Sequence, residues 1–132
     1  MKLWTHFIAT SLLALVLFPS FGIGAFWAFT TGFLIDIDHY FFYLIRFRFR
    51  KLNPFKANKF FIENKFHGIL CIFHTYEFFG IMLVIAFFSV VGRIMLLALL
   101  VHHAMDFYSE LRLGSIDAKA KSVIMYLIKR IK

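Results

Sequence analysis

The chain has 132 residues, of which 61% are hydrophobic and 20% aromatic, and its mean hydropathy is +0.79. This composition excludes an ordinary soluble domain, and the length suits a single unit, so we interpret residues 1–132 as one integral membrane domain. The net charge of +8 would suggest nucleic-acid binding in a soluble protein, but the bases cluster beside apolar segments, so we expect anionic lipid headgroups and no nucleic acid as partners.

Four apolar segments predict membrane spans, at about residues 3–18, 21–45, 66–91 and 94–108. The first could instead be a signal peptide, but no small-x-small pair suited to cleavage lies near its end. Pro19-Ser20 and Gly92-Arg93 are very short connections, which predict antiparallel neighbours. We therefore expect an all-α fold, a four-helix bundle with up-down-up-down topology, in which Gly22, Gly24 and Gly32 permit close helix approach.

Two basic segments flank these spans. Residues 46–65 interleave Arg and Lys with Phe, which is typical of a segment in the headgroup layer. Residues 116–131 follow a helix stop at Leu113-Gly114 and repeat apolar residues at helical spacing opposite lysines, which predicts an amphipathic surface helix. Fourteen of the fifteen Lys and Arg residues fall on one side of the predicted topology. The positive-inside rule then places both termini and the long loop in the cytoplasm of a multi-pass inner-membrane protein.

Polar side chains inside the spans converge at one depth. In the predicted topology all of them lie toward the cytoplasmic end, although they come from four segments. They are His6 in the first span, Asp36, Asp38 and His39 in the second, His74 and Glu77 in the third, and His102 and Asp106 in the fourth. Two bare aspartates near a bilayer centre would cost about 5–7 kcal/mol, so they require compensation.

A bound divalent metal is the economical compensation, because His beside Asp is ligand chemistry that zinc accepts. His102 and Asp106 share a helix face at i,i+4, and His74 and Glu77 are i,i+3 neighbours. Asp36 and Asp38 would point to opposite sides of a regular helix, so either the helix is distorted or one Asp serves another metal or a supporting role. The roles of His67 and His103 are left open.

The negative charge of the candidate ligands favours more than one bound metal ion. Asp36, Asp38, Glu77 and Asp106 carry four negative charges, which two divalent cations would cancel. Paired metals commonly serve phosphoester hydrolysis, in which one ion activates water and the other stabilises the oxygens that gain charge. Asp36, Asp38 and Glu77 are the candidate catalytic carboxylates, since one that is not a ligand can act as the general base.

The order of these residues resembles a known family. Thr5-His6, Asp36-Ile37-Asp38-His39, Phe73-His74-Thr75 and His102-x-x-x-Asp106 are similar to the membrane-bound metal-dependent hydrolases of the LexA-regulated inner-membrane type. Their pattern is an early His, Pro-Asp-Ile-Asp-His, His-Arg-Gly-x-Thr-His-Ser and His-x-x-x-Asp. Here Ile35 replaces the Pro, the His-Arg-Gly element is missing, and His67 lies seven residues before His74. The resemblance implies a helical fold that holds zinc through His and Asp and hydrolyses phosphoesters, like the distantly similar phospholipase C and single-strand nuclease superfamily.

Two functions from different classes remain. The first is a hydrolase that attacks a phosphoester of a lipid or lipid-linked substrate at the cytoplasmic leaflet with metal-activated water. The second is a non-enzymatic metal or proton carrier whose intramembrane acids form a relay. A carrier needs ionisable residues toward the far side, where the predicted topology has only Arg93, and this favours the hydrolase. Haem ligation by His74 and His102 is disfavoured because it needs no cluster of carboxylates. The oligomeric state is left open.

Overall fold

The computed structural model describes residues 3–63, 70–114 and 121–131, and the secondary structure in these ranges is entirely helical. The α-helices in chain order are α1 (Leu3–Phe21), α2 (Phe26–Leu34), α3 (Ile37–Arg46), α4 (Pro54–Glu63), α5 (Tyr76–Phe88), α6 (Val90–Leu113) and α7 (Val123–Ile131). Single 3-10 turns occupy Gly22–Ala25 and Ile72–His74. The all-α prediction is confirmed for the described residues.

Two helical stretches, Trp4–Arg46 and Val90–Arg112, are long and apolar enough to cross a membrane. Helix α5 is equally apolar but has 13 residues, which span about 20 Å of a hydrocarbon core about 30 Å thick. Large apolar side chains point outward along these helices, and Val16, Phe87 and Phe88 are 74%, 76% and 80% exposed. An apolar exterior of this extent is typical of a surface that something other than water covers.

Helices α1 and α2 form an antiparallel pair. We expected the first helix to end at Pro19-Ser20, but α1 continues through Pro19 to Phe21, so this boundary was wrong. The turn falls instead at Gly22, whose φ of +53° is in the left-handed region that glycine adopts without steric cost. The ring of Phe7 on α1 contacts the rings of Phe29 and Phe33 on α2 at centroid distances of 5.6 and 5.5 Å.

Gly32 lets α1, α2 and α6 approach closely. A Cβ atom at this position would lie 2.3 Å from Cγ2 of Thr10 on α1 and 3.6 Å from Cβ of Ala98 on α6. Beneath this contact, Ala28 of α2 packs with Ile94 and Ala98 of α6, and partly buried side chains of α1 cover them: Leu13, Ala14 and Leu17. The small residues bring the three backbones together, as expected for Gly32.

The second predicted span is not continuous. Helix α2 ends at Leu34 and α3 begins at Ile37, with a turn at Ile35-Asp36 between them. The turn closes through a backbone hydrogen bond of 3.1 Å from the His39 N–H to the Asp36 carbonyl. The segment 21–45 therefore contains two α-helices, and of the alternatives left open for the two aspartates the helix distortion is the one present.

The third helix starts later than expected. The predicted span began at residue 66, but residues 66–69 lie outside the described ranges and Leu70 to Thr75 form no α-helix. Helix α5 begins at Tyr76 because the Thr75 side chain accepts a hydrogen bond from the Phe78 N–H and caps it. His74 consequently lies in the turn before the helix.

Helix α6 is longer than the predicted span of 94–108. Ser89 caps it by accepting a hydrogen bond from the Gly92 N–H, so Gly92-Arg93 belongs to the first turn of α6 and the connection to α5 is Ser89. Helix α6 ends at Gly114, whose φ of +63° provides the left-handed stop expected there. Met82 of α5, Leu99 of α6 and Ile35 form the core between these antiparallel helices.

Two shorter helices complete the described structure. The basic segment 46–65 contains α4, which Asn53 caps by accepting hydrogen bonds from the Phe55 and Lys56 N–H groups. Helix α7 covers the second part of the expected amphipathic helix 116–131, whose first five residues lie outside the described ranges. The exposed apolar side chains of α7 are Ile124, Met125, Leu127 and Ile128.

Candidate metal centre

Seven of the eight predicted metal ligands come together where α1, the α2–α3 break, the turn before α5 and α6 meet. We call them the histidine–aspartate cluster: His6, Asp36, Asp38, His39, His74, His102 and Asp106. These residues, together with Cys71, form two groups, and in each group the ligand atoms lie within 4.8 Å of one another, so that either group could hold a metal ion. The first is His6, Asp36, His102 and Asp106, and the second is Asp38, His39, Cys71 and His74.

His102 is fixed by the backbone of α2. Its Nδ1 atom lies 2.8 Å from the Gly32 carbonyl oxygen, and a carbonyl only accepts, so Nδ1 carries the proton and donates. Its side chain is fully buried. In the neutral ring Nε2 is then the unprotonated atom, and it is directed into the cluster.

His74 is fixed in the same way by a carboxylate. Its Nδ1 atom lies 3.2 Å from Oδ2 of Asp38, which also accepts a hydrogen bond of 3.1 Å from the Phe73 N–H. An ionised carboxylate only accepts, so His74 donates through Nδ1 and presents Nε2 to the cluster. A histidine whose outer nitrogen donates to a carboxylate or carbonyl is the usual arrangement of a metal-ligating imidazole.

Four atoms face one another at the centre of the cluster, namely Nε2 of His74, Nε2 of His102, Oδ1 of Asp36 and Oδ2 of Asp106. The two nitrogens are 3.1 Å apart. Nε2 of His74 lies 3.7 and 3.4 Å from the Asp36 and Asp106 oxygens, and Nε2 of His102 lies 3.5 and 3.6 Å from them. Tetrahedral zinc ligands at about 2.0–2.1 Å lie about 3.3–3.4 Å from one another, so these five separations suit such a site. We call these atoms the inner quartet.

The electrostatics of the inner quartet require a positive charge. With both histidines donating through Nδ1, two nitrogen lone pairs and two carboxylate oxygens face one another across less than 4 Å. Each of these groups is an acceptor, so their juxtaposition is repulsive unless a cation or an added proton lies among them. A metal ion satisfies all four at once, whereas a single proton satisfies two.

His6 completes the side of the cluster next to α1. Its Nε2 atom lies 3.2 Å from Oδ1 of Asp106 and 3.7 Å from Oδ2 of Asp36, so it contacts the outer oxygens of both carboxylates. The ring stacks on His102 with centroids 4.1 Å apart. The side chain is 1% exposed, and its Nδ1 atom has no hydrogen-bond partner among the described residues.

His39 and Cys71 extend the cluster on the opposite side. Nδ1 of His39 lies 2.8 Å from Oδ1 of Asp38 and 3.4 Å from Oδ1 of Asp36, so both aspartates reach the cluster. The break before Ile37 makes this possible, since a regular helix would point them apart. Cys71 is buried and was not predicted as a ligand, although its place three residues before His74 and the zinc affinity of thiolates could have suggested it.

Glu77 is not part of the cluster. Its carboxylate accepts hydrogen bonds from the Ser122 hydroxyl at 2.5 Å and from the backbone N–H groups of Val123 and Ile124 at 3.2 and 3.3 Å. The predicted pairing of His74 with Glu77 on one helix was wrong, because His74 precedes α5 and Glu77 holds the N-terminus of α7. The cluster contains three carboxylates where four were expected.

His103 is not a member of the inner quartet, although its ring centroid lies 5.4 Å from that of His74. His103 is directed to its own helix, where its Nδ1 atom donates to the Leu99 carbonyl at 2.9 Å. His67 lies outside the described residues.

Comparison of the chain with models of protein families, with curated proteins and with solved structures finds no match in any of the three.

Proposed function

We propose that the chain is a membrane-embedded, metal-dependent hydrolase that cleaves a phosphoester of a lipid or lipid-linked substrate at the cytoplasmic leaflet. The observation that carries the proposal is the inner quartet, whose atoms come from three separate segments and whose N···N and N···O separations are 3.1–3.7 Å. Each of its two histidines is already oriented by an outer acceptor, Asp38 or the Gly32 carbonyl. Such preorganisation is typical of metal sites.

Zinc is the metal we propose for the inner quartet, because it accepts tetrahedral nitrogen and oxygen ligands. His6, His39 and Cys71 lie at the edges of the quartet and offer ligand atoms for a second ion. When bound, the metal activates water near neutral pH and polarises a phosphoryl oxygen.

The cluster is most accessible to solvent and substrate on the side of Asp36 and His39. Their side chains are 19% and 18% exposed, whereas those of His6, His74, His102 and Asp106 are at most 9% exposed. Asp36 directs Oδ1 to the inner quartet and Oδ2 to His6. We therefore assign Asp36 as the general base and not as a permanent ligand, so that His74, His102 and Asp106 would hold the ion and its fourth position would be open to water. We assign Asp38 the role of orienting His74 and His39.

The membrane setting supports a lipid substrate. We propose a multi-pass inner-membrane topology with four spans and both termini in the cytoplasm, in keeping with the apolar exterior and the bias of Lys and Arg. The resemblance to membrane-bound metal-dependent hydrolases agrees with this proposal at His6, Asp38, His39, His74, His102 and Asp106.

Elemental analysis of the full chain, purified in detergent with zinc supplied, tests the metal centre. We expect at least one zinc per chain in the wild type, a loss in His102→Ala and Asp106→Asn, and wild-type content in His103→Ala, a neighbouring histidine outside the quartet. Circular dichroism of each variant distinguishes lost ligands from lost fold. Wild-type protein that folds without binding any divalent ion would refute the proposal.

Activity on phosphoesters is tested separately. The zinc-loaded wild type and Asp36→Asn are assayed on a panel of phosphodiester and phosphomonoester lipids in mixed micelles. We expect turnover by the wild type and a loss of about 100-fold or more in Asp36→Asn, the scale of general-base catalysis. Stoichiometric zinc without turnover on any ester would refute the hydrolase and favour the metal carrier.

A further inference from the structure

His6 of α1 differs from the two histidines of the inner quartet in the surroundings of its Nδ1 atom. In His74 and His102 this atom faces an outer acceptor, which leaves Nε2 unprotonated for an ion. The Nδ1 atom of His6 has no hydrogen-bond partner in the part of the chain that the structure describes, although the side chain is 1% exposed. A histidine that binds an ion through Nε2 almost always donates its other N–H to such a partner. The surroundings of His6 are therefore not those of a metal ligand.

The Nε2 atom of His6 faces carboxylate oxygens that lie outside the inner quartet. It lies 3.2 Å from Oδ1 of Asp106, within the range of an N–H···O hydrogen bond, and 3.7 Å from Oδ2 of Asp36, beyond that range. An ionised carboxylate only accepts, so the hydrogen of a neutral His6 lies on Nε2 and is donated to Asp106. The other oxygen of Asp106, Oδ2, faces His74 and His102 in the quartet. His6 and the quartet therefore contact opposite oxygens of one carboxylate.

Packing holds the ring of His6 in place. The ring stacks on that of His102 at an interplanar angle of 23°, with 4.1 Å between the centroids. One turn along α1, the Thr10 hydroxyl donates a hydrogen bond of 2.8 Å to the His6 carbonyl, and both side chains are buried. His6 is thus presented to Asp106 from a fixed part of α1, as a residue that orients another side chain must be.

We infer that His6 is a positioning residue of the metal centre and not a ligand, and that it donates a hydrogen bond from Nε2 to the outer oxygen of Asp106. The inference rests on the proposed metal centre, in which His74, His102 and Asp106 hold the ion. It gives the carboxylate ligand an outer partner, as the two histidine ligands have, and such partners orient the ligand and tune its affinity for the metal. Helix α1 then contributes no ligand of its own and acts on the ion through a side chain of α6.

A second ion bound to His6 is the alternative, because the ligand atoms of His6, Asp36 and Asp106 lie close enough together to hold one. With Nε2 bound to an ion, the remaining N–H of His6 would be buried at Nδ1, where no described residue accepts it. In the positioning role no N–H is left at Nδ1. The structure therefore favours the positioning role.

Zinc binding by His6 variants of the full chain, purified in detergent, tests the inference. His6→Phe keeps an aromatic ring against His102 and removes the donor, whereas His6→Gln keeps an N–H group near the position of Nε2. At saturating zinc we expect both variants to bind as many ions per chain as the wild type. Equilibrium dialysis should show about 10–100-fold weaker binding in His6→Phe, the usual cost of a lost outer partner, and less than about threefold weaker binding in His6→Gln.

The matched control is His103→Phe, the same substitution at a histidine of α6 that donates to a carbonyl of its own helix. We expect wild-type zinc affinity in this variant, and circular dichroism checks that every variant keeps its helical content. X-ray absorption at the zinc edge counts the imidazole ligands, and we expect the same number in the wild type and in His6→Phe.

Three results would overturn this inference alone, because zinc would still be bound by the wild type. Loss of an ion or of an imidazole ligand in His6→Phe would identify His6 as a ligand. Unchanged affinity in His6→Phe, or equal losses in His6→Phe and His103→Phe, would remove the specific role of His6. Failure of His6→Gln to recover affinity would show that the ring and not the donor matters. A wild type that binds no zinc would overturn both the metal centre and this inference.

Discussion

The contact of Gly32 with Thr10 provides a quantitative test of the fold around the metal centre. A Cβ atom at residue 32 would lie 2.3 Å from Cγ2 and 3.2 Å from Cβ of Thr10. Thr10 is fully buried, and its hydroxyl donates to the His6 carbonyl at 2.8 Å, so the side chain cannot rotate away without losing that bond. Gly32→Ala gains about 1 kcal/mol of helix propensity but incurs about 1–3 kcal/mol of overpacking. We expect net destabilisation of up to about 2 kcal/mol.

Gly32→Ala should no longer destabilise the protein when Thr10 is replaced by Ser. Thr10→Ser removes Cγ2 and keeps the hydroxyl, so the nearest remaining side-chain atom is Cβ at 3.2 Å. In this background we expect Gly32→Ala to be neutral or to stabilise by up to about 1 kcal/mol, which gives a coupling energy of about 1–3 kcal/mol.

Reversible unfolding of the four proteins in detergent, followed by circular dichroism, measures this coupling. Zinc affinity is measured alongside, because displacement of the Gly32 carbonyl would release Nδ1 of His102. An equal cost of Gly32→Ala in both backgrounds would refute the close approach of α1 and α2 at this point.

Three further outcomes are expected. Asp38→Asn should weaken zinc binding by about 10–100-fold while His102 and Asp106 remain in place, because Asp38 orients His74 from outside the inner quartet; equilibrium dialysis measures this, and unchanged affinity would contradict that role. Glu77→Ala should speed hydrogen exchange at residues 122–126 and leave zinc content unchanged, and a fall in zinc content would return Glu77 to the ligand set. Zinc at about 100 times its dissociation constant should stabilise the wild type by about 2.7 kcal/mol and His102→Ala much less, measured by thermal unfolding.

That the polar residues of four segments meet in one site was predictable, because the sequence indicates both the order of the helices and the depth of each polar residue along its helix. His102 and Asp106 at i,i+4 required only a regular α6, and α6 is regular from Val90 to Leu113. A cluster from distant segments followed once Pro19-Ser20 and Gly92-Arg93 were interpreted as tight connections, although the turns fall at Gly22 and Ser89. The sequence did not predict which ligand atoms face the centre of the cluster. The orientation of His102 depends on the Gly32 carbonyl, and a backbone carbonyl has no sequence signature.

The helix boundaries near the cluster were less predictable. Ile35-Asp36 contains neither Gly nor Pro, and apolar residues on both sides extend the helical pattern across the break. The late start of α5 depends on a Thr75 cap within an apolar run, where hydropathy alone favours continuation. Glu77 was assigned to the metal from its spacing to His74, and that argument failed because His74 is not on α5.

The attachment of Glu77 to α7 leaves an odd number of carboxylates in the cluster. One divalent cation among Asp36, Asp38 and Asp106 leaves a formal charge of −1, and two leave +1 when the histidines are neutral and Cys71 remains a thiol. Only with two ions would the pocket attract an additional anionic oxygen from outside the chain. A phosphodiester carries one negative charge. In a two-ion centre with three carboxylates, that charge would neutralise the remaining +1, which a fourth carboxylate would otherwise neutralise.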